Sequence, residues 1–179
     1  MKNIADHLFD IFENSVNANA DMVIIKISFS ERIFHCSITD NGIGITGEEV
    51  LDPFVTSRKT RKVGLGLPLL KKAAEDTGGY LKIKKTNQMG GTSLEFEIDM
   101  SHIDAKPFGD LPQTFADIYF AWPNIDLKLY IIKNSKQEKV LDFYTMREKE
   151  NRGLSNFIKT RRKIVSIMHE EMKNLNIIE

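Results

Sequence analysis

The sequence predicts an α/β protein of the α+β two-layer sandwich type, in which a mixed β-sheet carries helices on one face. An amphipathic helical pattern opens the chain, and two pairs of β-rich segments follow on either side of a second helical pattern. Apolar residues make up 41% of the 179 residues, which suits a packed core. We therefore expect one α+β domain at residues 1–100 and a smaller αβ extension at residues 101–179.

The elements of the first domain follow from its periodicity. A helix is predicted over residues 4–18, because apolar side chains recur there every three or four positions. Another helix is predicted over residues 66–77, where Gly78 and Gly79 provide a C-cap. Alternating or β-branched segments predict strands at 22–30, 33–39, 80–85 and 92–98.

The extension begins with a proline-bearing connector near residue 101. Its predicted elements are a helix at Thr114–Trp122, a hairpin of Ile125–Lys133 and Lys139–Tyr144, and a helix at Leu154–Leu175. Aromatic residues concentrate around the first of these elements, and we favour a buried core over a partner surface for them. They are Phe108, Phe115, Tyr119, Phe120 and Trp122.

Charge and apolar content exclude several classes of protein. The 25 basic residues balance 25 acidic ones, so a surface that binds nucleic acid mainly through phosphate contacts is not expected. No stretch approaches the roughly 18 apolar residues of a membrane span, and Asp6, His7 and Asp10 interrupt the N-terminal apolar run. We therefore expect a cytoplasmic protein without a membrane partner. The single Cys36 is expected to be a buried small hydrophobe.

A polar stripe on the first helix is the first candidate functional feature. Asp10, Asn14 and Ala18 lie at intervals of four residues and therefore share one helix face. The turn at residues 40–45, with sequence DNGIGI, is the second feature. Each has an ordinary interpretation, a solvated helix face or a tight glycine turn, so neither is specific alone.

Together with the segment that follows, these features predict a phosphate site. Gly64 and Gly66 allow close approach of a ligand to the backbone, and the helix start behind them offers free N–H groups to anions. The basic residues at 58–62, among them Arg58 and Lys59, would neutralise charge on a terminal phosphate, although such a run is more often an exposed loop.

The remaining groups suit a nucleotide and its metal. Mg²⁺ on phosphates keeps several waters, so the side-chain carbonyl of Asn14 suffices as its protein ligand. Asp10, one turn earlier on the same face, is placed to reach either the water shell of the Mg²⁺ or an attacking water. A carboxylate at the end of a strand, Asp40, would accept the exocyclic amine of adenine.

In order and spacing these motifs resemble the GHKL superfamily of ATPases, which comprises histidine kinases, gyrase-type topoisomerases, ninety-kilodalton heat-shock chaperones and mismatch-repair ATPases. Residues 12–20 resemble its N box, 40–45 its G1 box, 52–59 its F box and lid, 64–71 its G2 box, and 90–92 its last glycine-threonine box. The chain also resembles small stand-alone ATP-binding proteins of anaerobic bacteria that carry a C-terminal extension.

The resemblance implies ATP and Mg²⁺ as cofactors. It implies Asn14 as the metal ligand and Asp10 in the position of the general base, where gyrase-type members carry Glu. The implied nucleotide contacts are Asn14, Ala18, Asp40, Gly42, Gly44, Ile45, Phe54, Thr56, Arg58, Lys59, Gly64, Leu65, Gly66, Leu67 and Thr92.

Three functions remain open at this stage. The leading hypothesis is a kinase-type module that transfers the γ-phosphate to a His or Ser of a partner protein, because the N box begins close to residue 1 and leaves no phosphoacceptor domain before it. His169 on the last predicted helix is a weak candidate for the acceptor, because an isolated histidine near a helix end is more often a solvated or capping residue. The alternatives are a slow ATPase switch and a non-enzymatic ATP sensor that regulates a partner, and a homodimer is considered among the partners.

Overall fold

The computed structural model describes residues 1–44, 66–133, 136–149 and 154–177. Five helices and six strands lie in these ranges. In chain order they are α1 (Ile4–Asn17), β1 (Met22–Ser30), β2 (Ile33–Asp40), α2 (Gly66–Glu75), β3 (Tyr80–Lys84), β4 (Ser93–Asp99), α3 (Leu111–Ala121), β5 (Asp126–Lys133), β6 (Lys136–Asp142), α4 (Phe143–Glu148) and α5 (Leu154–Asn174).

The six strands form one mixed sheet in the order β3-β4-β2-β1-β5-β6. The β1–β5 pair is parallel and every other neighbouring pair is antiparallel. The predicted fold class, an α+β two-layer structure with a mixed sheet, is therefore confirmed. Strands β5 and β6, which lie in the predicted C-terminal extension, continue the same sheet through β1, an arrangement that local sequence patterns do not encode.

One face of the sheet carries the helices and the hydrophobic core. Alternate strand residues are buried there, as in β1, where Val23, Ile25 and Ile27 are fully inaccessible. Contacts place α2 over β3 and β4 and beside α1, α3 on the other side of α1, and α5 against α3 and β6. The helices thus follow the order α2, α1, α3, α5 across the sheet. The fully buried Cys36 belongs to this core, as predicted.

Three predicted boundaries in the C-terminal part are wrong. Strand β6 begins at Lys136 rather than at residue 139, and local capping explains the other two. Helix α3 begins at Leu111 rather than at residue 114, because the Asp110 side chain accepts a hydrogen bond from the Gln113 N–H. Strand β6 ends at Asp142 rather than at Tyr144. The Asp142 side chain accepts from the Thr145 N–H and starts the short helix α4, which the sequence pattern missed.

The connector between the two parts caps the N-terminus of α1. The carbonyl oxygens of Pro107 and Phe108 accept hydrogen bonds from Ile4 N–H at 2.9 Å and Ala5 N–H at 3.0 Å. These bonds satisfy N–H groups that have no partner within the helix. Of the concentrated aromatics, Phe115 and Tyr119 are buried, and the others pack partly buried against the same core. None of the helices in the described ranges is long and apolar enough to cross a membrane.

Candidate functional site

The predicted site residues divide into two groups. Seven lie outside the described residues: Ile45, Phe54, Thr56, Arg58, Lys59, Gly64 and Leu65. The others lie in α1 and at its C-cap, at the end of β2 and in the turn after it, at the start of α2, and just before β4. They are Asp10, Asn14, Ala18, Asp40, Gly42, Gly44, Gly66, Leu67 and Thr92.

Asp40 is held in place by contacts from several parts of the chain. It is the last residue of β2 and is only 5% exposed. Its Oδ1 atom accepts hydrogen bonds from the N–H groups of Gly42 and Thr92, both at 3.0 Å, and its Oδ2 atom accepts from the Ser15 hydroxyl at 3.0 Å. Three donors from three parts of the chain therefore hold the carboxylate in one orientation as an acceptor.

Two glycines allow the backbone to pack closely around Asp40. A Cβ atom at Gly42 would lie 2.6 Å from the Ala18 carbonyl oxygen, which accepts the Ile43 N–H at 2.9 Å. A Cβ atom at Gly91 would collide with the Asp40 carbonyl and Oδ1 and would lie 2.6 Å from the Gly42 nitrogen. The end of α1, the turn after β2 and the segment before β4 can meet only because these positions lack side chains.

Asp10 and Asn14 lie one turn apart at the interface between α1 and α2. The Asn14 amide nitrogen donates to Asp10 Oδ2 at 3.4 Å, and this contact turns the amide oxygen away from Asp10. Gly66, the first residue of α2, lies directly over Asp10, because a Cβ atom at Gly66 would overlap Asp10 Oδ2. Asp10 is consequently only 8% exposed. The structure thus brings together the two polar residues and the helix start that the sequence analysis associated with phosphate.

The sequence analysis missed Ser15, although the sequence holds a signal for it. Ile4, Leu8 and Ile11 form the apolar stripe of α1 that faces the sheet, and Ser15 is the next position of that stripe. It is only 4% exposed. A buried hydroxyl in an apolar stripe requires a hydrogen-bond partner, and here that partner is Asp40.

His7 is a second buried polar residue that the sequence analysis left without a role. It lies one turn before Asp10 on α1 and is 2% exposed. Its Nδ1 atom has no hydrogen-bond partner among the described residues. Burial, with a smaller contribution from the nearby N-terminal amine, lowers the pKa of His7 from 6.5 to about 4. The imidazole is therefore neutral in the folded protein near pH 7.

Because the His7 imidazole is neutral in the folded protein, the stability of the protein should decrease in acid. Between pH 6.5 and pH 4 the unfolded chain binds a proton at His7 that the folded chain does not, so acidification favours unfolding. The free energy of unfolding should fall with decreasing pH in this window, by at most about 1.4 kcal/mol per pH unit from this group. Denaturant titrations at several pH values should show a shallower decline for His7→Leu than for the wild type. His102→Gln, which removes an exposed histidine, is the control variant. An unchanged slope in His7→Leu would contradict the assignment.

One family model and two solved structures are similar to this chain. A family model described as histidine kinase-, DNA gyrase B- and HSP90-like ATPase matches residues 2–102. The chain is similar to the N-terminal domain of a DNA repair protein, at 12% identity and a TM-score of 0.49, over 79% of this chain and 53% of that one. It therefore spans about half the length of that structure.

A second solved structure, the Aquifex aeolicus MutL ATPase domain complexed with ADP, is similar at 16% identity and a TM-score of 0.48. That match covers 92% of this chain and 69% of the other. No curated protein sequence matches significantly. The match to the family model extends over more than half of the 179 residues and confirms the superfamily that the motifs indicate. The chain belongs to the family of histidine kinase-, DNA gyrase B- and HSP90-like ATPases, whose model matches its residues 2–102.

Proposed function

We propose that the chain binds Mg²⁺-ATP between α1, α2 and the turn after β2, and acts as an ATPase switch that regulates a partner protein through its C-terminal part. The observation that carries this proposal is the position of α1. One side of this helix presents Asp10 and Asn14, and another side packs Phe9 and Phe12 against Trp122 of the C-terminal part. If nucleotide binding shifts α1, the contacts of Phe9 and Phe12 with Trp122 should therefore change as well.

The described residues fit an adenine nucleotide with a divalent cation. Asp40 is a buried acceptor whose orientation is already fixed, which suits the exocyclic amine of adenine. The Asn14 amide donates through its nitrogen to Asp10, so its oxygen is the atom suited to a hard cation such as Mg²⁺. A bound Mg²⁺ would neutralise charge on the phosphates.

Asp10 is the proposed general base for hydrolysis. It is a carboxylate one turn from the proposed metal ligand, and its side chain is one methylene shorter than that of Glu. The start of α2 lies over it at Gly66, which limits the access of a water molecule to Asp10. Both features favour slow hydrolysis, as a switch requires, because the ATP-bound state then persists.

Contacts with α1 and with Arg147 hold Trp122 in place, so its position depends on that of α1. Its ring centroid lies 5.2 Å from that of Phe9 and 5.4 Å from that of Phe12. The Arg147 guanidinium donates to the Trp122 carbonyl at 3.1 Å and to the Ile125 carbonyl at 2.6 Å, which fixes the end of α3. The ring contacts of Trp122 with α1 and the hydrogen bond of Arg147 at the end of α3 therefore connect α1 to α3.

The only Trp of the chain therefore serves as a reporter of the proposed coupling. Adding Mg²⁺-ATP to the full chain should change the intrinsic fluorescence of Trp122, because the surroundings of the indole ring depend on α1. Amide hydrogen exchange in α3 should change over the same range of ATP concentrations. Calorimetric titration measures binding independently in the same samples.

The Asp40→Asn variant is the control for this experiment. Asp40→Asn should show neither calorimetric binding nor a change in fluorescence. If calorimetry shows that wild type binds Mg²⁺-ATP while fluorescence and α3 exchange both stay unchanged, the switch is excluded and a sensor without this coupling remains.

The second candidate is a kinase that transfers the γ-phosphate to a partner protein, the leading hypothesis from the sequence. The helix order favours it in one respect, because α3 and α5 lie on the side of α1 away from α2. The described C-terminal helices thus leave the α2 side of the site to an external acceptor. Incubation with γ-labelled ATP and candidate partners should label a His or Ser of the partner. Release of phosphate that Asp10→Asn abolishes, without any labelled partner, would favour the switch.

A further inference from the structure

We propose that Ser15 is a positioning residue that sets the base selectivity of the site by fixing the Oδ2 atom of Asp40. This inference rests on the proposed function, because it assumes that Asp40 contacts the base. Ser15 itself faces the sheet, on the stripe of α1 next to the one that carries Asn14, and acts through Asp40.

The hydroxyl proton of Ser15 has two acceptors within reach. Asp40 Oδ2 lies at 3.0 Å from Ser15 Oγ, and the Ile11 carbonyl oxygen lies at 3.4 Å. A single proton is donated mainly to one acceptor, and the shorter distance and the negative charge both favour the carboxylate. Because Ser15 and Asp40 are 4% and 5% exposed, solvent competes little for this bond.

The hydrogen bond from Ser15 limits the number of acceptor positions that Asp40 can offer to a base. An ionised carboxylate offers about four lone-pair positions, two on each oxygen. Gly42 and Thr92 use both positions on Oδ1, and Ser15 uses one on Oδ2. One acceptor position therefore remains on Oδ2, with its direction set by the Ser15 hydroxyl. A base that presents an amine at this point is accepted, and a base that presents a carbonyl meets a second acceptor.

Removing the Ser15 hydroxyl should weaken this discrimination. Oδ1 stays bound to two backbone N–H groups, but Oδ2 then has two unused positions and a small space beside it. A water molecule in that space can accept from an amine or donate to a carbonyl, so the site no longer requires an amine. Removing the Ser15 hydroxyl should therefore change the relative affinity for different bases and leave the contacts of the phosphates unchanged.

The test compares Mg²⁺-ATP with Mg²⁺-ITP, whose hypoxanthine base carries a carbonyl in place of the adenine amine. Calorimetric titration of the wild-type chain should give affinity for ATP at least about tenfold above that for ITP, the size of one hydrogen bond to a charged group. Ser15→Ala should reduce this ratio by about fivefold or more, mainly through weaker ATP binding. Ser15→Cys, which has a similar shape and a weak donor, should fall between them.

Thr77→Ala is the matched control, because Thr77 is also buried and donates to a backbone carbonyl, that of Ala74, without contacting Asp40. It should keep the wild-type ratio. If Ser15→Ala does not fold by circular dichroism, the ratio in Ser15→Cys decides.

The outcomes separate the two proposals. Absence of ATP binding in the wild type overturns the proposed function itself. ATP binding and preference that Asp40→Asn abolishes, with an unchanged ratio in the Ser15 variants, overturns only the inference about Ser15. An equal loss of ATP and ITP affinity in Ser15→Ala also overturns it, because that result indicates a structural role alone.

Discussion

Replacing Asp40 by Asn is expected to weaken Mg²⁺-ATP binding by at least about 100-fold while the fold persists. The Asn oxygen can still accept from the Gly42 and Thr92 N–H groups, which fixes the amide orientation. The amide nitrogen then takes the place of Oδ2 and directs a donor toward the adenine amine. A lost charged hydrogen bond together with two opposed donors costs about 3 kcal/mol or more, which corresponds to this change in affinity.

Calorimetric titration with Mg²⁺-ATP checks this prediction, and circular dichroism checks the fold. Asp21→Asn is the matched control, because Asp21 is an exposed carboxylate near the same turn that accepts from the Asn41 side chain at 2.6 Å. It should bind ATP as the wild type does. An Asp40→Asn protein with wild-type affinity would remove Asp40 from the nucleotide site.

Replacing Gly91 by Ala is expected to abolish ATP binding and to destabilise the chain by about 1–3 kcal/mol or more. The new methyl group would collide with the backbone and carboxylate of Asp40 and would lie 2.6 Å from the Gly42 nitrogen. Backbone atoms cannot rotate away as a long side chain can, so the end of β2 must move. The two hydrogen bonds that orient Asp40 Oδ1 would then be lost.

The neighbouring glycine separates this collision from ordinary backbone strain. Gly90 has φ +91°, but no atom of the described residues lies within 4 Å of the place that a Cβ would take, so Gly90→Ala introduces strain without a collision. It should lose some stability in denaturant titrations and keep ATP binding. Equal loss of ATP binding in both variants would show that strain in this turn, rather than contact with Asp40, governs the site.

The sequence predicts the helices and strands between Ile4 and Asp99 to within one or two residues at each end, because their signals are local. Apolar periodicity in α1 and alternation in β1 and β2 arise from a core on one face, and each is visible within ten to fifteen residues. The parallel pairing of β1 with β5 joins segments about a hundred residues apart. No local pattern specifies that neighbour, so the way in which the extension joins the sheet could not be predicted.

The candidate site also combines residues that local patterns predict with contacts that join distant segments. Residue type and spacing predict Asp10, Asn14 and Asp40 as site residues, and the structure places Gly66, at the start of α2, over Asp10. The partners that orient Asp40 come from separate elements, so their convergence emerges only in the fold. The roles of the lid residues, including Arg58 and Lys59, remain predictions that lie outside the described residues.

The most direct test of the account is a crystal structure of the full chain with Mg²⁺ and a non-hydrolysable ATP analogue. The account predicts the adenine amine within hydrogen-bond distance of Asp40 Oδ2, the Asn14 side-chain oxygen on the metal ion, and the phosphates at the start of α2. A nucleotide bound elsewhere on the chain, or an adenine base with no contact to Asp40, would contradict it.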